Sequence, residues 1–158
     1  MSYKFKVYVA SSWRNARYPE VLKAIREDGY DAYDFRNPSP GDNGFSWSEI
    51  DPNWRGWTTQ QYVEALKHPA AKRGFRNDMR GLDNCEFCVL VMPCGRSAHL
   101  EAGYAQGAGK PVFTLWEEGL EAELMHKMLT GGIHATVESM LEAMNKLREE
   151  WKELRLRP

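Results

Sequence analysis

The chain has almost no excess charge of either sign: 21 basic against 22 acidic side chains in 158 residues, with a pI near 6.4. Binding along a phosphate backbone draws on surplus positive charge, so polymeric DNA or RNA is not an expected partner. Long apolar runs are missing too. None approaches the ~20 residues that a membrane-spanning helix needs, so no membrane partner is expected. The opening Met-Ser-Tyr-Lys-Phe-Lys leads into a strand without the apolar core of a signal peptide, which points to the cytoplasm.

Cysteine is scarce, and the three residues present offer no disulfide framework. Cys85-Glu-Phe-Cys88, with Cys94 and His99 beyond it, imitates a zinc knuckle or a redox pair. With residues 87–92 extended at ~3.3 Å each, however, Cys88 and Cys94 stand about 20 Å apart and cannot share an ion. No metal is expected, and the thiols read as small buried hydrophobes. Nucleotide fingerprints are also absent. Gly107-Ala-Gly-Lys110 would need glycine at Tyr104 and a hydroxyl residue at Pro111 to be a phosphate loop. No Gly-x-Gly-x-x-Gly follows the first strand, which disfavours dinucleotide dehydrogenase chemistry. No cofactor is expected.

What is present is a regular alternation of strand and helix. Phe5–Ala10, Tyr30–Phe35, Phe87–Met92, Val112–Trp116 and Ile133–Thr136 read as strands. Helices are expected over residues 18–28, from a Thr58 cap to Lys67, over 69–85, after Ser97, near 121–129, and from Val137 onward. The last carries Val137, Met140, Leu141, Met144, Leu147, Trp151 and Leu154 on one face. The pattern predicts a single α/β domain over residues 1–158, doubly wound and flavodoxin-like. Its five parallel strands take the order 2-1-3-4-5, with helices on both faces. The switch point between strands one and three then brings Tyr8, Ser11, Ser12, Trp13, Arg14 and Asn15 beside Cys94, Gly95, Arg96 and Ser97. A ligand pocket is expected there.

The run from Asp83 to Tyr104 carries the most chemistry. Phe87–Met92 is continuously apolar, as in a strand buried on both faces, and Pro93 and Gly95 end it. With Ser97 as N-cap, Glu101 falls at the fourth helical position, one beyond the place of a capping-box glutamate, which Leu100 occupies. Glu101 therefore has no capping work, and is either a nucleophile or general base at the sheet's edge or a solvated helix residue. His99 points to another face and reads as a surface or packing histidine. Residues 36–57 form a long loop whose Phe45, Trp47, Trp54 and Trp57 either stack on a nucleobase or pack on their own domain.

Lys6-Val-Tyr-Val-Ala-Ser-Ser-Trp13, Asn77-Asp-Met-Arg-Gly-Leu-Asp83 and Glu101-Ala-Gly-Tyr-Ala105 occur in that order. Together they resemble the nucleoside 2-deoxyribosyltransferase family, which includes the deoxynucleoside 5'-monophosphate N-glycosidases. The resemblance spans roughly residues 4–135. It implies that Glu101 attacks the anomeric carbon, that Tyr8 orients its carboxylate, and that Asp78 assists the departing base. Such chemistry passes through an oxocarbenium-like state, which an anionic nucleophile and a proton donor split into two easier steps. The implied partner is a nucleoside or nucleotide, and the implied assembly a homo-oligomer.

This chain departs from the family at two places. Transferases acting on free nucleosides commonly carry an acidic residue six positions before the nucleophile; here it is Gly95, followed by Arg96 and Ser97. A Gly-Arg-Ser turn at a helix N-terminus attracts anions through free N–H groups and a guanidinium, which favours a 5'-monophosphate. The family's neighbouring subunit often supplies an Asn, which Thr130-Gly-Gly-Ile-His134 lacks. Cleavage of NAD and non-catalytic nucleotide sensing remain as competing readings.

Overall fold

A computed structural model describes residues 3–155. Five parallel strands, β1 (Lys6–Ala10), β2 (Asp31–Tyr33), β3 (Phe87–Val91), β4 (Val112–Leu115) and β5 (Ile133–His134), lie in the order β2-β1-β3-β4-β5. Helices α1 (Tyr18–Glu27), α2 (Thr59–Ala65), α3 (Pro69–Asn84), α4 (Arg96–Gly107) and α5 (Val137–Arg155) complete the fold.

Two-residue alternation sorts the strand side chains onto two faces. Val7, Val9, Phe87, Val89, Val91, Phe113 and Leu115 pack with α1 and α5 through Val21, Leu22, Ile25, Met140 and Met144. Tyr8, Ala10, Cys88, Leu90 and Val112 pack on the other side with Leu82 of α3 and Ala98, Ala102 and Ala105 of α4. Every residue of β3 is buried, which is why its sequence shows no polar alternation. The pairing Tyr8↔Cys88 places Tyr8 on the face shared with α3 and α4. Alanines at the buried positions of α4 leave little side-chain bulk between that helix and the sheet.

Several expectations are corrected. The N-cap of α4 is Gly95, not Ser97, so Ser97 is the second helical residue and Glu101 the sixth. Gly95 is the residue with extended geometry (φ −89°, ψ −172°), and the Ser97 hydroxyl turns along the helix to Glu101 instead of back onto free N–H groups. The helix expected near 121–129 is a 3₁₀ turn at Leu124–Met128. Only His126 and Leu129 are buried in that segment, too little apolar surface to hold a longer helix. Strand β2 stops at Tyr33 because Asp34 turns the chain, its carboxylate accepting from Tyr18 Oη, Arg36 N and Asn37 Nδ2. Strand β5 pairs through two residues only, and Trp116 lies beyond β4.

The long loop is built, not open coil. It contains 3₁₀ turns at Trp47–Glu49 and Trp54–Gly56, the first closed by a Ser46/Glu49 capping box. Asp42 ties it to α3 by accepting from Asn77 Nδ2 at 3.0 Å, and Arg73 donates to Glu49 at 2.7 Å. Among the described residues, no helix is long and apolar enough to cross a membrane.

Candidate active site

The loops after β1 and β3 are fastened together by a buried amide. Asn15 Nδ2 donates to Ser11 Oγ (3.1 Å) and to the carbonyls of Val91 (3.3 Å) and Pro93 (3.2 Å), while its Oδ1 accepts from Arg17 N. Ser11 Oγ itself donates to the Val91 carbonyl at 2.9 Å, and Ser12 Oγ accepts from Arg14 N. Arg36 Nη2 adds contacts to the carbonyls of Ser12, Trp13 and Asn15. The side chains of Ser11 and Ser12 therefore already hold the loop, whereas Trp13 stands half exposed, edge-on to Phe35.

On the sheet face shared with α3 and α4, Tyr8 of β1, Asp78 of α3 and Glu101 of α4 come into electrostatic reach of one another. Tyr8 is wholly buried, and its hydroxyl lies near enough to Glu101 to act on its charge without being in hydrogen-bond geometry with any described residue. Burial, and then the negative charges of Glu101 and Asp78, hold that hydroxyl neutral far above its ordinary range. The Tyr8 ring stacks on Tyr33 at 5.2 Å and 16°, and Tyr33 Oη donates to Asp78 Oδ1 at 3.0 Å.

Burial raises Asp78 to about 6, against the Tyr33 hydrogen bond and with help from Asp42. Glu101 is pushed up to about 7, first by burial and then by Asp78; the Ser97 and Tyr8 hydroxyls oppose the rise. The repulsion between the carboxylates is mutual and falls on the second proton to leave, here that of Glu101. Between about 6 and about 7 the pair therefore holds a single proton, mainly on Glu101.

Ser97 Oγ donates to Glu101 Oε1 at 3.2 Å, so its one hydroxyl proton goes to the carboxylate. Gly95 and Arg96 are exposed, no side chain caps α4, and Arg96 has no ion-pair partner among the described residues. The loop aromatics pack chiefly on one another: Phe45 on Trp47 (4.9 Å), Trp47 on Trp57 (5.8 Å), and both indoles on Tyr62. Trp57 Nε1 donates to Asp51, and Trp54 lies under Arg55.

His99 is half buried, with Nδ1 against the Gly95 carbonyl (2.9 Å) and Nε2 against His126 Nε2 (3.2 Å). Cys85 and Cys88 are buried, and burial pushes the Cys94 thiol up to about 12, with the Glu101 charge adding to it. Among the described residues no cluster of three metal-ligating side chains occurs. A groove of about 450 Å³ along α1, lined by Tyr18, Leu22, Arg26 and Arg36, shares no residue with the carboxylate pair.

Two contributors were not singled out from sequence, Tyr33 and Gly81. A Cβ on Gly81 would lie 2.9 Å from Tyr8 Cδ2 and 3.0 Å from Tyr33 Cγ, so α3 sits flush against the tyrosine stack only with glycine there. Mid-helix Gly→Ala normally stabilises by about 0.5–1 kcal/mol. Here overpacking of about 1–3 kcal/mol should outweigh that gain. Gly81→Ala is expected to lower the urea midpoint. A midpoint equal to or above wild type would show that the stack yields freely.

No family model and no curated protein sequence matches the chain. Solved structures do. The fold is similar to that of a 2-deoxyribosyltransferase from Bacillus psychrosaccharolyticus, at TM-score 0.56 and 15% identity, covering 86% of this chain and 90% of that one. It is similar to a Clostridium botulinum CMP N-glycosidase at TM-score 0.52 and 14% identity, covering 89% and 98%. A conserved protein from Enterococcus faecalis V583 matches at TM-score 0.57 and 15% identity, over 91% and 99%. The order 2-1-3-4-5 and the parallel sheet expected from sequence are thus those of the 2-deoxyribosyltransferase fold.

Proposed function

We propose that this chain cleaves the N-glycosidic bond of a nucleoside or nucleoside 5'-monophosphate, with Glu101 as nucleophile. The observation that carries the reading is the pair of half-buried carboxylates, Glu101 and Asp78, set about the buried Tyr8 hydroxyl, where partial burial raises them to about 7 and about 6. Structural likeness to a 2-deoxyribosyltransferase and a CMP N-glycosidase supports the same chemistry.

In the first step a Glu101 oxygen bonds to the anomeric carbon while the carbon–nitrogen bond breaks, its electron pair leaving with the base. Asp78 supplies the proton that the departing base takes up. The products are free base and a glycosyl ester of Glu101. Water, or the nitrogen of a second base, then displaces the carboxylate from the sugar and gives its proton to the ionised Asp78, which restores both groups. Productive attack needs Glu101 ionised while Asp78 holds the proton. That arrangement is the minor one of the two singly protonated forms, since Glu101 at about 7 holds the proton more tightly than Asp78 at about 6, and the Tyr8 hydroxyl beside Glu101 shifts the balance toward it.

Free N–H groups at the start of α4, together with the unpaired Arg96, suit the phosphate of a 5'-monophosphate. Ser97 contributes its backbone to that cradle, since its hydroxyl serves Glu101. Trp13, half exposed on the loop after β1, is an aromatic available to the base. Exposed charge contacts contribute about 0–1 kcal/mol and charge-assisted hydrogen bonds in a sheltered site about 1.5–3, so the monophosphate should exceed the matching nucleoside in kcat/KM, and an excess of roughly tenfold or more would show that the exposed turn closes around the phosphate. Arg96→Ala should shrink that ratio.

The test is chromatographic detection of free base from a panel of nucleosides, 5'-monophosphates and NAD, with and without an acceptor base. Release from a monophosphate supports the proposal. Equal or better turnover of the free nucleoside would remove the phosphate assignment. Release of nicotinamide alone would favour NAD cleavage, and binding without turnover a sensing role.

A further inference from the structure

Asp78 is held by a residue from a different strand. Tyr33 closes β2, its ring lies flat on Tyr8, and its hydroxyl donates to Asp78 Oδ1 at 3.0 Å. Oδ2 of the same carboxyl makes no hydrogen bond among the described residues. Gly81, one turn along α3 from Asp78, leaves room for both rings. The result is one tyrosine for each carboxylate, Tyr8 beside Glu101 and Tyr33 on Asp78, fixed to each other by the stack.

We propose that Tyr33 is the positioning residue for Asp78: it occupies Oδ1 and so leaves Oδ2 as the oxygen that presents the proton to the departing base. This rests on the reading of Asp78 as the acid. A carboxyl group free to rotate would offer the proton from either oxygen and over a range of angles. A general acid, by contrast, must stand within hydrogen-bond reach of its target in a defined direction. The donated bond also favours the ionised form of Asp78 and so opposes the effect of burial. Charged and titratable groups around Asp78 come from each neighbouring element: Tyr8 from β1, Tyr33 from β2, Asp42 from the long loop and Glu101 from α4.

Tyr33→Phe keeps the ring and the stack and removes only the hydroxyl. In base-release assays kcat should fall about tenfold with KM little changed, as expected for one lost hydrogen bond to a charged group. The lower limb of the pH–rate profile, at about 6 in the wild type, should move upward. Carbon-13 NMR of the aspartate carboxyls, with Asp78 assigned through Asp78→Asn, should show the same upward movement from about 6. In an Asp78→Asn background Tyr33→Phe should cost no further kcat, because the two changes remove one interaction. An unmoved limb and NMR midpoint, or an additive loss in the double variant, would overturn the proposal. If the wild type releases no base, the acid role falls. The NMR titration still decides whether Tyr33 controls Asp78.

Discussion

Glu101→Gln should abolish base release while making the protein more stable above pH 7. A nucleophile that forms a covalent bond has no local substitute, so the loss should exceed about 10³-fold. Retention of more than about a tenth of the rate would remove Glu101 from that role. The stability gain follows from linkage. Glu101 titrates at about 7 in the folded chain against an ordinary 4.5, so between these values the folded state holds a proton that the unfolded state has lost. Stability from this group therefore falls as pH rises from about 4.5 to about 7 and stays lower above. An uncharged amide escapes that penalty, for a gain on the order of 1–3 kcal/mol above pH 7 and none below pH 4. Denaturant midpoints at pH 4 and pH 8 would show it. A midpoint at pH 8 below wild type would mean that ionised Glu101 is stabilised by contacts this structure lacks.

Asp78→Asn should lower kcat by about 10²-fold or more, the usual contribution of a positioned acid, with a smaller change in KM. Its pH dependence is the sharper signature. Wild type should show a bell between apparent values of about 6 and about 7, which belong to the coupled pair. Asparagine removes both the proton donor and the negative charge that raises Glu101. One limb should remain, with activity rising with pH, and its midpoint should fall below about 7. A bell of unchanged width would show that another group is the acid.

The sheet was legible because its signal is local. Phe87–Val91 is apolar without interruption, and strands alternate with helices along the chain, so strand order follows from the few topologies such a pattern allows. Glu101 stood out because a glutamate beyond the capping position at a strand–turn–helix junction has no local task. Tyr33 and Gly81 were illegible for the opposite reason. Their meaning lies in contacts between β1, β2 and α3, and a tyrosine ending a strand or a glycine within a helix has no distinctive spacing. Ser97 was misassigned as the cap because serine is a common N-cap, whereas here the preceding Gly95 makes the extended entry and Glu101 attracts the hydroxyl. The 121–129 segment has the composition of a helix but buries too little to keep one, a balance set by tertiary packing.

The central claim is a covalent glycosyl ester on Glu101. It can be tested with the best substrate of the panel made with fluorine at C2', which withdraws electrons from the oxocarbenium-like state and slows release of the sugar. After mixing and digestion, mass spectrometry should find the fluorinated sugar on the peptide that contains Glu101, and Glu101→Gln should carry none. Base release with the sugar on a different residue would contradict the account.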